Sequence, residues 1–254
     1  MRRFYAGKSV SLAEAGGHRL MTGSQLNCGF ANITTDTKEA MYAAMTPDDK
    51  TVYFYSYYAY MSWNFNSSAI RQGVKCINVD AYETMSETDL RRAWWDPTGE
   101  ASVPSSSYAK NAYQNRKFTA RSTADAVGDV AFMRLAEMYL TQAEALARAG
   151  KDSEAQAVFT KFQITRDPSY VSKGNIGDAL AEEIMNSRRV ELWGEGFRFY
   201  DLKRTGMLKD NSYLEEHHPD LAQFFKPEYA LRPISTNFTS TLEGGGGYYQ
   251  NPGY

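Results

Sequence analysis

Asn186-Ser187-Arg188-Arg189-Val190-Glu191-Leu192-Trp193-Gly194-Glu195-Gly196-Phe197-Arg198-Phe199-Tyr200-Asp201-Leu202-Lys203-Arg204-Thr205-Gly206 is the stretch on which the fold turns. Its glycines punctuate it. A helix opens at Asp178, with Glu182 and Glu183 in early turns where the helix dipole favours acid, and stops at Gly194. A shorter helical segment, Phe197 to Thr205, ends at Gly206. Arg188, Arg189, Glu191, Glu195, Arg198 and Asp201 crowd the junction, and a charge density of this kind reads as a structural ion-pair network. Its expected job is to lock the turn at Gly194 to Gly196 against the preceding helical hairpin.

Upstream, Phe132, Leu135, Ala136, Tyr139, Ala143, Leu146 and Ala147 recur at three- and four-residue spacing, which predicts a helix from Asp129 to a stop at Gly150. A second helix follows, with Ser153 and Gln156 in capping-box spacing and Ala155, Val158, Phe159 and Phe162 on its apolar face. Small residues at 136, 143 and 147 permit close approach, so the pair resembles one tetratricopeptide-type helical hairpin. Such a hairpin needs stacked neighbours. No second copy is visible at the required period, which leads to the expectation that an amino-terminal part is missing.

Residues 1–128 read as an irregular, aromatic-rich region and residues 129–254 as a helical one, together forming one compact body. Within the first, Val52 to Tyr58 has strand propensity, and Ser86 to Trp95 reads as a short helix opened by a serine cap. Beyond Gly206 the chain turns loop-like, through His217-His218-Pro219 and a glycine run from Gly244 to Gly247 that no Lys-Ser/Thr pair follows. The fold class is therefore mainly α with minor β and long irregular loops.

The 28 basic and 30 acidic side chains nearly cancel, so nothing in the field attracts a polyanion, and nucleic-acid binding is disfavoured. Aromatic residues reach 14%, led by 18 Tyr, a mix of flat faces with polar handles that suits neutral polar ligands. Cys28 and Cys76 form no metal-type pair, and His18, His217 and His218 supply too few ligands for a metal. No cofactor is implied. The start of the chain lacks a secretory apolar run, and Leu26-Asn27-Cys28-Gly29 carries Asn where a lipidation site needs a small residue. Any lipid anchor is expected to lie outside this chain.

Three stretches resemble the carboxy-terminal half of the SusD/RagB family. They are Met133-Arg134-Leu135-Ala136-Glu137-Met138-Tyr139-Leu140 through Gly150, the 186–206 block, and the tail from Arg232-Pro233-Ile234 to Gln250-Asn251-Pro252-Gly253-Tyr254. A fainter echo lies in Asp89-Leu90-Arg91-Arg92-Ala93-Trp94-Trp95. Ser187, Trp193-Gly194 and Ser235 depart from the family pattern. The resemblance implies a cell-surface outer-membrane lipoprotein that captures oligosaccharide or polysaccharide, or in some members peptides or glycoproteins, without catalysis and passes it to a SusC-like TonB-dependent transporter. It also implies a tetratricopeptide-related core, with ligand sites in variable loops that no motif transfers.

For those sites, Tyr57-Tyr58-Ala59-Tyr60-Met61-Ser62-Trp63-Asn64-Phe65-Asn66 supplies aromatic planes beside amides, the pairing a sugar ring needs. Read as a strand entering a loop, it puts Tyr58 and Tyr60 on one face with Trp63 and Asn64 projecting beyond. Trp94, Trp95 and Tyr108 complete the candidate set; the alternative for each is a place in the core. Two other function classes stay open. One is a glycoside hydrolase built on Glu191 and Glu195, which needs one carboxyl kept protonated where Arg188, Arg189 and Arg198 would hold both ionised. The other is a helical-repeat scaffold that binds only proteins.

Overall fold

The computed structural model describes residues 2–47, 56–65, 67–68, 73–101, 103–104, 108–210, 212–213 and 215. Expectations for His217, His218, the glycine run and the Arg232 to Tyr254 tail lie outside these. The chain divides into two compact units, Met1–Glu195 and Gly196–Tyr254, so the boundary expected at residue 128 falls inside the first and the region 129–254 is divided between the two.

The helical side of the first unit is built around α5, Leu135–Ala147. Its Ala136, Ala143 and Ala147 are buried, and without side chains beyond Cβ they let three other helices close in: α1, Arg2–Ala15, α6, Asp152–Gln163, and α7, Gly177–Glu191. Val10 and Ala13 from α1, Phe159 and Phe162 from α6 and Leu180 and Ile184 from α7 pack with Leu135, Tyr139 and Leu140 in one apolar cluster. Each such large side chain contributes about 1.5–3 kcal/mol on burial. Gly150 ends the hairpin's first arm in the left-handed conformation at φ 71°, which an L side chain rarely adopts.

Three local expectations give way here. Val130–Arg134 is a strand, β4, paired antiparallel with β1, Ala40–Ala44, so the helix begins at Leu135 and not at Asp129. Phe132, counted on the helical face, is 55% exposed on that ribbon. Helix α6 opens at Asp152 without a side-chain cap, because Gln156 donates to the Asn175 carbonyl instead of reaching back to its own turn. Helix α1 carried only the sparse apolar set Ala6, Val10 and Ala13, too weak to read without the partner it packs on.

The other side of this unit is an aromatic core. Phe30, Trp94, Trp95, Tyr58 and Phe118 are buried together, with Trp193 packed against them, largely edge to face. Short elements frame it. They are α2, Ile33–Asp36, α3, Tyr57–Met61, α4, Val79–Glu83, a 3-10 turn over Leu90–Trp94, and the two-residue pair β2, Trp95–Asp96, with β3, Gln114–Asn115. Asp89, not Ser86, caps the 3-10 turn through the Arg91 N–H; the Ser86 hydroxyl is turned to Asp167. A Cβ on Gly128 would sit 2.4 Å from the Tyr58 ring, which makes that glycine a steric requirement.

In the second unit, α8, Phe197–Thr205, lies between Gly196 at φ 86° and Gly206 at φ 83°. Leu202 and Leu208 bury together with Met207 and Tyr213 against them.

Candidate functional site

Between the helical cluster and the aromatic core lies a layer of charge. Glu39, Asp89, Glu191 and Glu195 meet Arg91, Lys117, Arg134 and Arg166, four carboxylates against four cations, with side chains at most 5% exposed. Arg134 Nη1 donates to Glu191 Oε1 at 2.9 Å and to Glu39, while its Nε and Nη2 grip Glu195 at 2.8 and 2.7 Å. Arg166 Nη2 spans Glu39 Oε2 at 2.8 Å and Glu191 Oε1 at 2.9 Å. Arg91 holds Asp89 at 2.7 Å and reaches Glu191 at 3.3 Å. The Lys117 ammonium bonds Glu195 at 2.6 Å and two carbonyls, and lies over the rings of Trp94, Phe30 and Phe118.

The electrostatics follow from that geometry. Burial pushes the Glu191 carboxyl up, but Arg166 and Arg134 outweigh it and hold it well below the usual carboxylate range. Glu195 is lowered in the same way, burial being overcome by Arg134 and Lys117. Burial dominates at Lys117 and pulls its pKa down to about 8 against the opposing pull of Glu195. Both carboxyls are held in the ionised form, and every oxygen of both already accepts a hydrogen bond.

The membership of this charge layer differs from the one expected. Arg188 is buried on the α5 side, 3.8 Å from Glu137 and bonded to Thr141 at 3.3 Å. Arg189 is half-buried on α7. Arg198 and Asp201 belong to the second unit, where Arg198 donates to the Tyr213 hydroxyl and Asp201 pairs with Arg204 at 2.8 Å. On α7 the residue three before Glu191 points about 60° away from it, so Arg188 serves the neighbouring helix while distant segments supply the cations. Arg134 and Arg91 did stand inside two of the recognised stretches; Glu39, Lys117 and Arg166 carried no signal.

The ligand candidates separate by burial. Tyr58, Asn64, Trp94, Trp95 and Tyr108 are buried. Asn64 bonds the Ala120 backbone at both N–H and C=O, at 2.8 and 2.9 Å, Tyr58 donates to the Asp129 carbonyl, and Trp94 to that of Leu26. The segment expected as a strand is, from Tyr57, the helix α3, capped by the Ser56 hydroxyl; residues 52–55 lie outside the described part. Helical geometry sends Tyr58 and Tyr60, two apart, to opposite sides. Tyr60 is thus 43% exposed where Tyr58 is core. Trp63 is half-buried: its Nε1 donates to Thr119 Oγ1 at 2.9 Å and the Arg116 guanidinium lies 4.2 Å from its ring centre.

Cys28 and Cys76 are free thiols, each with its pKa raised by burial. Among the described residues no group of three or more His, Cys, Asp or Glu side chains could hold a metal ion, and no helix is long and apolar enough to cross a membrane.

The model of the SusD family matches residues 7–254. A SusD-like protein of Formosa agariphila is 34% identical over 85 residues, covering 30% of this chain and 17% of that protein. The crystal structure of a SusD homolog from Bacteroides thetaiotaomicron superposes with a TM-score of 0.64 at 25% identity, over 94% of this chain and 53% of the other. Surface glycan-binding protein A from Bacteroides fluxus gives 0.66 at 22% identity, over 100% and 58%. The chain spans little more than half the length of these solved relatives.

Proposed function

The chain belongs to the SusD family, and from that premise we propose that it is a non-catalytic glycan-capturing surface protein that hands oligosaccharide to a SusC-like TonB-dependent transporter at the outer membrane, held there by a lipid anchor. The observation that carries the reading is the state of the 57–65 segment. It offers an exposed Tyr60 and a half-buried Trp63 whose indole is pinned at Nε1 and backed by Arg116, an aromatic plane oriented before any ligand arrives. Tyr58, Asn64 and Tyr108 stand behind this face and shape it from within: the Tyr108 hydroxyl donates to the Asn64 carbonyl at 3.2 Å. Trp94 and Trp95 belong to the same supporting core.

The ionised, saturated state of Glu191 and Glu195 supports the non-catalytic reading, because neither carboxyl holds a proton to give a leaving group. Binding at a shallow platform is weak per site, which suits release to a transporter. The name of the Bacteroides fluxus relative, a surface glycan-binding protein, agrees with this reading. The test is retardation in gels containing a panel of neutral polysaccharides, with Trp63→Ala and Tyr60→Ala as variants. Retention that drops in both variants supports the reading; retention unchanged in both discards this face.

A protein-only scaffold has one observation in its favour. Tyr42, Met45, Phe132 and Met133 leave an exposed apolar surface along the β1–β4 ribbon. It predicts no retention on any glycan gel while a transporter partner is still bound.

A further inference from the structure

Away from the aromatic face, a cleft of about 460 Å³ opens between α4 with its following loop and the helices α6 and α7. That volume falls in the roughly 300–1,000 Å³ range of small-molecule sites. At its base is Gln163, only 8% exposed. The Gln163 Oε1 accepts from the Ser187 hydroxyl at 2.7 Å and from Arg91 Nη2 at 3.3 Å. A guanidinium only donates, so the oxygen must face it and the amide nitrogen must point the other way. Among the described residues nothing accepts the two hydrogens of that Nε2.

Around this donor the wall is made of acceptors. Glu83 and Glu182 are exposed and Asn186 half-buried, all without a hydrogen-bond or ion-pair partner among the described residues. Glu183 is held by Asn175 at 2.8 Å and by the Tyr170 hydroxyl at 3.2 Å, and Asp167 by Ser86 and Thr88. Of the cations lining the cleft, Arg91 is committed to Asp89 and Glu191, and Lys173 stands 4.0 Å from Glu183.

These groups select the ligand. An anion would meet the surplus of carboxylates and is repelled. An ammonium would satisfy them but has no lone pair for Gln163 Nε2, which such a ligand would cut off from water unpaired, at a cost of about 1–3 kcal/mol. A hydroxyl accepts from Gln163 and donates to a carboxylate at once, and neighbouring hydroxyls repeat the pattern along the wall. We propose that this cleft is a second carbohydrate site, taking a short neutral saccharide through its hydroxyl groups. It rests on the cleft's own donors and acceptors and not on Trp63, so the two sites stand or fall separately.

The experiment uses the full chain carrying Trp63→Ala, to silence the aromatic face, and saturation-transfer NMR with titration of glucose, maltose and cellobiose, glucosamine as the cationic probe and glucuronate as the anionic one. At least one neutral sugar is expected to bind with a millimolar dissociation constant, tighter than either charged probe. Adding Asn186→Trp, which fills the cleft, should weaken that binding at least tenfold. Should that variant not fold, Glu182→Lys at an exposed position serves in its place. Loss of all neutral-sugar binding on Trp63→Ala alone overturns the proposal, as does preference for glucosamine or indifference to the cleft variant.

Discussion

Arg134, the last residue of a strand, and Glu191, the last residue of a helix, meet at 2.9 Å with side chains 1% and 0% exposed, and through this contact the helical and aromatic halves of the first unit share one buried charge layer. Neither charge could be buried alone. The pair is tolerable because Glu191 faces three guanidiniums and Arg134 three carboxylates, so every lone pair and proton is used.

Glu191→Gln should therefore destabilise the protein by about 3–5 kcal/mol, since it leaves three buried guanidiniums short of a counter-charge. Urea denaturation followed by tryptophan fluorescence measures this. A loss below about 1 kcal/mol would show that the layer is hydrated and not sealed.

The depressed carboxyls of Glu191 and Glu195 set the acid limit. Groups held below their ordinary 4.5 contribute stability that is complete above that pH and disappears as pH falls through the folded-state value. Lys117 acts in the same direction, in an alkaline window. With a folded pKa of about 8 against an ordinary 10.5, the unfolded chain binds the proton more tightly between those values, so stability from this group rises across that window. The urea midpoint of the wild type should fall steeply below pH 4.5, and the Lys117→Met variant should lack the increment between pH 8 and 10.

Gly128→Ala should cost about 1–3 kcal/mol by driving a methyl into the Tyr58 ring. In a Tyr58→Ala background most of that penalty should vanish. An undiminished penalty in the double variant would assign it to the backbone instead.

Asn64→Ala separates support from recognition. The amide closes two bonds to Ala120, so truncation should cost about 1–3 kcal/mol for each backbone group left unsatisfied. Gel retardation by the folded fraction should change much less than in Trp63→Ala. An equal drop in affinity, with the thermal midpoint unmoved, would place Asn64 in contact with the sugar.

Helix ends and the hairpin were legible because their causes are local. Gly150, Gly194 and Gly206 sit at φ 71°, 79° and 83°, and a left-handed stop or an apolar stripe is written within one or two turns of chain. Family membership was legible for the same reason, as contiguous blocks such as 186–206. The partners of Glu191, the burial of Trp94 and Tyr58, the strand at Val130–Arg134 and the packing of α1 were decided by tertiary structure. A charge takes whichever opposite charge folding brings within a few ångströms, and an aromatic ring is core or surface according to what packs over it. Glu191 draws its cations from residues 91, 134 and 166, a convergence that no spacing along the chain encodes.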